Sequence, residues 1–401
     1  MPTATRQLPI LLTLHWPHSL RQRTVKAVHR ATVTHVLVAV ALLILLCGVS
    51  EDWWVSAALS YLPRAPYLVF SLAIIPALLC RQWLYAGVNL LCGALIAGPV
   101  MGLCVPLSSV TAPTPDSLLV LSCNIQNGDS DLPELLAEID TQQPDVIAFQ
   151  EVQRGEDVLA KHFAGWHTLH IDEYYVASRF PIRLLGEHHS KTTDRTTAIA
   201  CEVAAPSGAW RLCDIHLSTA RHGLTKLRWH SPVSRVGIRD LEWQQWERRL
   251  EAEETLHFID DHAGLPLLVA GDFNTPTTSS LFSDVWTGWQ SAFETAGTGY
   301  GYTSPCNSGR LWPRNTPWLR IDHILCDSSW QIHSVGIGHT DGSDHRLIWS
   351  RVSLPLDRAR IQDSGFRIQG KQNAPSTTAR QGVHREGEAP AEPPGRSTTS
   401  S

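Results

Sequence analysis

Apolar positions fall into three regimes along this chain. Up to Leu107 they come in long, almost unbroken runs. From Ser117 to Leu354 they come in brief runs set between polar segments, and beyond Leu356 they nearly vanish. In the first regime Ala31–Val49 is nearly all apolar. A second run covers Tyr67–Cys80, starting as early as Val55, and a third covers Trp83–Leu107, broken by Gly98-Pro99. A membrane-crossing helix needs ~20 apolar residues, so the first and third runs are long enough and the second is borderline. Arg64 with Pro63, Pro66 and Pro76 blurs the start of that second run, while Trp53, Trp54, Trp83 and Tyr85 sit at run ends, where interfacial aromatics gather. A cleaved signal peptide fits poorly, because the apolar core begins late and three runs follow one another. A buried helical domain also fits poorly, since Arg81 is the only charge between Ala65 and Pro115.

The expectation is therefore a basic segment over 1–30, about three transmembrane helices over 31–110 and a Pro/Thr-rich linker over 111–116. The first segment carries Arg6, Arg21, Arg23, Lys26 and Arg30 and no acidic residue. With that segment inside, three crossings in an inner or plasma membrane leave the rest of the chain extracytoplasmic; two would leave it in the cytoplasm.

From Ser117 the pattern predicts strands at Leu118–Cys123, Val146–Phe149, Tyr174–Ala177, Ile182–Leu185, Leu265–Ala270, Ile321–Cys326 and Leu347–Val352. Thr197–Val203 and Trp210–Ile215 read as a hairpin turning at Ser207-Gly208. Leu132–Gln142 reads as an amphipathic helix and Arg239–His262 as a long charged helix, with Leu241, Leu250 and Phe258 among its apolar positions. Many short strands with few helices between them suggest two packed sheets with helices outside. Residues 355–401, rich in Gln, Ser, Thr, Pro and Gly, bury too little to offset chain entropy and are expected to be disordered.

At 401 residues the chain has room for one large domain, 117–354, plus accessories, and a net charge of −5 gives no global basic surface for nucleic acid. Basic residues do cluster locally: Arg221, His222, Lys226, Arg228, His230, Arg235 and Arg239 precede the first acid, Asp240. That stretch suits a polyanionic substrate or anionic head groups, and equally a solvated loop balancing the acidic helix after it. Cys47, Cys80, Cys92 and Cys104 lie in the apolar runs and act there as small hydrophobes. Cys201 and Cys213 flank the hairpin turn and read either as a disulfide or as two buried strand cysteines, the geometry of neighbouring strands favouring the latter.

The candidate chemistry lies where strands end. In VAGDFNT (Val269–Thr275) an apolar run stops at Gly271, and Asp272 and Asn274 follow with one residue between them, on one face if the strand continues. A carboxylate beside a carboxamide suits water activation near phosphate and a divalent cation. The plainer reading is a turn, since Gly, Asp and Asn all favour turns. Other runs deliver Asn124, Glu151, His216 with Asp214, Asp322 with His323, and Asp344 with His345. Each alone has a dull explanation as a cap or a satisfied core residue; together they are hard to explain by packing.

In this order SCNIQNG, VIAFQEV, CDIHLS, VAGDFNTP, RIDHILC and GSDHRLI resemble the endonuclease/exonuclease/phosphatase superfamily, across the whole of Ser117–Leu354. The resemblance implies a four-layered α/β sandwich with its site at one end of two mostly antiparallel sheets. It implies a phosphoric ester hydrolase using Mg2+, with Mn2+ as a substitute. Glu151 would bind the metal, and Asn124 and Asp344 would support or complete its site. Asp272 and Asn274 would hold the attacking water and a phosphoryl oxygen. His345, paired with Asp322, would orient the nucleophile or contact phosphate, and His216 would donate to phosphate or the leaving oxygen. Gln126 stands where abasic-site enzymes carry Asp, which weakens that substrate. Arg195 reads as reaching phosphate or pairing with Asp194 or Asp172.

The expected function is a membrane-anchored, nuclease-like phosphodiester hydrolase acting on nucleic acid or a phospholipid head group, with no obligate protein partner. A lipid phosphodiesterase of sphingomyelinase type and an inactive, membrane-tethered binding module are its rivals.

Overall fold

The computed structural model describes residues 18–106, 111–128, 131–227, 231, 235, 237–306, 312–339 and 342–354. The start of the basic N-terminal segment, Arg228, His230 and the C-terminal tail lie outside the described residues. The chain forms two compact units, one of residues 1–105 with 277–283, the other of residues 106–276 with 284–401.

In the first unit, α1 (His18–Leu42) runs on through a π-helical stretch at Leu43–Val49 and a short turn, giving a 31-residue apolar rod, Gln22–Asp52. The helices α2 (Trp54–Ser60) and α3 (Ile74–Leu79) follow, and α4 (Trp83–Leu95) extends to Val100. The rod and Trp83–Val100 are each long and apolar enough to cross a membrane. The middle run is not one straight helix, because Trp54–Ser60 and Ala65–Leu79 meet at an 89° bend. Leu79 and Leu84 are more than 70% exposed on this unit, a pattern that aqueous surfaces avoid in clusters and hydrocarbon favours. Inside, Asn89 on α4 meets His35 Nδ1 at 2.8 Å and donates to Thr32 Oγ1 at 2.7 Å, polar contacts between helices that otherwise meet through apolar groups.

Among the described residues the second unit holds twelve strands in two six-stranded sheets. The strands are β1 (Leu118–Asn124), β2 (Val146–Gln150), β3 (His167–Ile171), β4 (Tyr174–Ser178), β5 (Ile182–Ser190) and β6 (Arg195–Ala205). They continue as β7 (Gly208–His216), β8 (Leu267–Asp272), β9 (Gln290–Ser291), β10 (Asp322–Cys326), β11 (Gln331–Ile337) and β12 (Ile348–Ser353). The orders are β11-β12-β1-β2-β4-β3 and β5-β6-β7-β8-β10-β9. The helices α5 (Leu132–Gln142) and α6 (Glu156–His162) precede α7 (Arg221–Leu224) and the long α8 (Ile238–Asp261).

The apolar runs are continuous because both faces of the central strands are covered. Val120, Ala148, Tyr174, Leu212, Leu268 and Ile324 point into the core between the sheets. Their neighbours Leu121, Phe149 and Tyr175 point the other way, onto Leu135 and Ile139 of α5. Each buried Leu, Ile or Phe contributes about 1.5–3 kcal/mol. Helices outside the two sheets complete the four layers implied by the resemblance.

β4 and β5 are joined by a tight connection but lie in different sheets, so the chain crosses the sandwich at Arg179-Phe180-Pro181. β3, β9 and β11 carry no clear alternation and were not expected. Cys201 pairs with Leu212 and Cys213 with Ala200, one step out of register, so the two thiols face opposite sides of the sheet and are free.

Candidate active site

Strand register assembles one row of polar groups. β7 and β8 run parallel with His216 opposite Asp272, and β10 runs antiparallel to β8 with Asp322 opposite Asp272. In the other sheet β1 and β2 run parallel with Asn124 opposite Gln150, which puts Glu151 one residue beyond. Gly342–Arg346 reaches this end because Ser343 Oγ donates to the Asn124 carbonyl at 2.7 Å, and the His345 N–H donates to Ser343 Oγ at 3.2 Å. Gly271 is the residue that β8 needs there. Its φ is +145°, and a Cβ would collide with the Ile215 carbonyl of the neighbouring strand.

The contacts are continuous. Asn124 Nδ2 donates to Glu151 Oε1 at 2.9 Å and to Asp272 Oδ2 at 3.1 Å, and its Oδ1 accepts from the Gln126 N–H. Glu151 sits in the left-handed region at φ +57°, a strain of about 1–3 kcal/mol of the kind that collects at functional sites. β8 ends at Asp272, so strand alternation does not place Asn274. A turn does: Asp272 Oδ1 accepts from the Asn274 N–H at 2.8 Å, and Asn274 Nδ2 donates to Leu217 O and to Asp272 Oδ2. The turn reading and the site reading of this segment are therefore the same structure.

His345 Nδ1 lies 2.9 and 3.0 Å from the Asp322 oxygens, and its Nε2 lies 3.7 Å from Asp272 Oδ2. Burial alone would lower the His345 pKa, but the charges of Asp322 and Asp272 outweigh it and raise it. Burial raises the Asp272 pKa despite the opposing charge of His345. His323, on the other face of β10, is a core residue stacked edge-on against Phe273. Burial first and then Arg320 push its pKa down to about 3. Asp214 is likewise not at the surface: it accepts from Gln150 Nε2 at 2.6 Å inside the sandwich, and burial pushes its pKa well above the carboxylate range.

His216 has a partner that the sequence did not reveal. Its Nδ1 lies 3.0 Å from Glu173 Oε1, and Arg195 Nη2 reaches the same oxygen at 2.7 Å. Arg195 therefore pairs with Glu173, not with Asp172 or Asp194; Asp194 meets His189 instead. Burial would raise the Glu173 pKa, but the hydrogen bond and charge of His216, with Arg195, hold it at about 2. Burial would lower that of His216, and Glu173 raises it above 6.5. No motif marks Glu173; its position at the head of β4 is the only signal, and it requires knowing that β4 neighbours β2.

Glu151, His216, Asp272, Asn274, Asp344 and His345 line one cleft of about 690 Å3. Asp322 stands behind His345, and Asn124 bridges Glu151 and Asp272. Two groups of residues could hold a cation. Asp272, Asp322 and His345 offer donor atoms within 4.8 Å of one another, but the Asp322 carboxylate is already engaged by His345 Nδ1. Glu151 and Asp344 are carboxylates lining the open cleft, and one or two carboxylates with water in the remaining positions suit Mg2+ better than a buried imidazole cluster. Arg221 approaches Asp344 to 3.8 Å from the rim.

The sequence profile of the Endonuclease/Exonuclease/phosphatase family matches residues 121–345. No curated protein matches the chain. Among solved structures, an endonuclease/exonuclease/phosphatase from Bacteroides vulgatus is similar at 16% identity and a TM-score of 0.46, over 60% of this chain and 99% of that one. One from Beutenbergia cavernae is similar at 18% identity and a TM-score of 0.43, over 60% and 72%. A Neisseria 3' phosphatase, NExo, bound to a product DNA hairpin, is similar at 16% identity and a TM-score of 0.43, over 58% and 98%.

Proposed function

The chain belongs to the endonuclease/exonuclease/phosphatase family, and from that premise we propose that it is a membrane-anchored, Mg2+-dependent hydrolase of phosphodiesters. The observation that carries the reading is the convergence on one cleft of two carboxylate-paired imidazoles flanking Asp272, with Glu151 and Asp344 beside them. A divalent ion held by Glu151 and Asp344 would neutralise phosphate charge. Asp272 is the group placed to take a proton from the attacking water, its pKa raised towards the working range of a general base.

His345, kept cationic by Asp322, is suited to hold a phosphoryl oxygen as negative charge builds up there. His216, kept protonated by Glu173, is suited to give its proton to the departing oxygen as the P–O bond breaks. Asn274 and Asn124 spend their amide hydrogens on Asp272, Leu217 and Glu151, so they are positioning residues. Apolar helices long enough to cross a membrane support anchoring, and they keep a lipid phosphodiesterase as the second reading.

The test is hydrolysis of bis-p-nitrophenyl phosphate by the full-length protein in detergent, with Mg2+, Mn2+ or EDTA. Turnover that needs the metal and is lost in Glu151→Gln supports the reading. Turnover unchanged in Glu151→Gln sinks the metal assignment, and no turnover at all favours a binding module.

A further inference from the structure

We propose that Asp214 and Gln150 are positioning residues, a buried tie between the two sheets that sets where His216 stands against Glu151. The inference rests on the phosphodiesterase reading above and goes beyond it to what holds the two halves of the site at their spacing. Glu151 follows β2 in one sheet, whereas His216 ends β7 in the other, and His216 Nε2 lies 3.6 Å from Glu151 Oε1. Two stacked sheets share no strand ladder, so the side chains packed between them set that separation. Polar bridges cross the gap here between facing strands. Asn124 of β1 donates to Asp272 of β8 in the site itself. Inside the sandwich, Gln150 Nε2 of β2 donates to Asp214 Oδ1 of β7 at 2.6 Å, and the Tyr174 hydroxyl of β4 donates to the Thr196 carbonyl of β6 at 3.2 Å. Gln150 is the residue before Glu151. Asp214 lies two before His216, on the same face of the strand.

Stability does not explain an acid at this place. Asp214 is fully buried, and its Oδ2 has no hydrogen-bond partner among the described residues. Such an unmet oxygen costs about 1–3 kcal/mol, a penalty that an apolar side chain of similar volume avoids. Leu212, the inward residue before it on β7, shows that the core accepts one. What the carboxyl adds is a directional contact that fixes one sheet against the other. Its partner is steadied too, since Gln150 Nε2 also reaches Ser122 Oγ at 3.2 Å and the Ala148 carbonyl at 3.3 Å. Displacing an oriented group by 1 Å costs about 100-fold in rate. Glu151 and Asp344 both belong to the sheet of β1 and β2, so a slack tie would shift His216 and spare the metal ligands. Delivery of the proton to the departing oxygen would suffer, and metal binding would not.

The test sets Asp214→Val, Gln150→Leu, the double variant and Asp214→Asn beside the wild type, all full-length in detergent with Mg2+, with a thermal melt of each. The substrates are bis-p-nitrophenyl phosphate, whose leaving group departs with little help, and diphenyl phosphate, whose phenolate needs a proton. Asp214→Val is expected to lower kcat on diphenyl phosphate about 100-fold. The kcat on bis-p-nitrophenyl phosphate, KM and the Mg2+ concentration for half-maximal rate should change little. Asp214→Asn keeps an acceptor for Gln150 and should recover most of the loss. The double variant should lose no more than either single one, because the two residues act through one bond. A loss equal on both substrates, a loss that multiplies in the double variant, or no loss at all overturns the inference and leaves the phosphodiesterase reading intact. Where a single variant does not fold, the double variant, whose two apolar side chains face each other, is compared with Asp214→Asn in the same way. Failure of all three apolar variants to fold assigns the pair to stability and also overturns the inference. Wild-type turnover confined to bis-p-nitrophenyl phosphate removes the acid role of His216, and the inference falls with it. No wild-type turnover on either substrate overturns the phosphodiesterase reading itself.

Discussion

Arg248, buried in the middle of α8, donates through Nη2 to the backbone carbonyl of Asn274 at 2.9 Å. The same nitrogen reaches Thr275 Oγ1 at 2.8 Å, and Nε donates to the Ser218 carbonyl. Gln244, Arg248 and Glu251 lie four and then three residues apart, on one face of the helix. Glu251, also buried, accepts from the Ser218 N–H and from the hydroxyls of Ser218 and Thr193. One helical face thus holds the loops that follow His216, Asp272 and β5, the second-layer support that a precise site requires.

Replacing Arg248 with Met keeps the length and removes every donor, leaving the Asn274 and Ser218 carbonyls unpaired at a cost of about 1–3 kcal/mol each. The expected outcome is a clear fall in Tm and a loss in kcat larger than any rise in KM. Arg248→Lys should recover only part of both, since one ammonium cannot reproduce the planar fork. Thermal melts and steady-state kinetics on the two variants check this, and equal behaviour of Lys and Met would argue that packing alone matters.

Glu173→Gln tests the pairing with His216. The Glu173 pKa is depressed to about 2, so its contribution to stability is present above 4.5 and is lost as pH falls towards 2. The His216 pKa is raised above 6.5, so its contribution is complete below 6.5 and is lost as pH rises through the folded value. Together they stabilise most between those limits, and the Gln variant should lose that window. Its activity should fall about 10²–10⁴-fold, as loss of a general acid does. The alkaline limb of the pH–rate profile should move to lower pH, and a limb that stays in place would remove His216 from the proton transfer.

Asp322→Asn removes the charge that keeps His345 cationic while preserving its shape. The expected loss in kcat is about 10²–10³-fold, the scale of removing one donor to developing oxyanion charge. The imidazole should then titrate at lower pH, which NMR of labelled histidine would report. An unchanged titration would mean that Asp272 alone sets the charge of His345.

Gly271→Ala should destabilise the fold by more than an ordinary surface change, because a Cβ there drives into the Ile215 carbonyl and the φ of +145° is closed to alanine. Widening β7 from β8 also separates His216 from Asp272. Activity should fall even where the protein still folds, and a fully active, equally stable variant would contradict the register described.

The polar residues of the site were legible because each sits at a strand boundary or within a few residues of one, and local sequence records where strands begin and stop. Asn124, Glu151, His216, Asp272, Asn274, Asp322 and His345 are in contact as a connected set, and Asp344 faces the same cleft. The apolar runs likewise announced strands buried on both faces and helices fit for a membrane. Glu173 was not legible, nor was the partner of Arg195, because those contacts depend on which strands become neighbours. The crossing from β4 to β5 was hidden as well, since a short connection in sequence does not say which sheet receives the next strand. The polar stripe of α8 reads in sequence as a charged surface helix. Only packing against the second sheet turns Arg248 and Glu251 inward, where burial makes their hydrogen bonds obligatory. Periodicity and strand ends are local properties of the chain. Register, sheet membership and burial of a charge are properties of the assembled sandwich, and those set the geometry of the site.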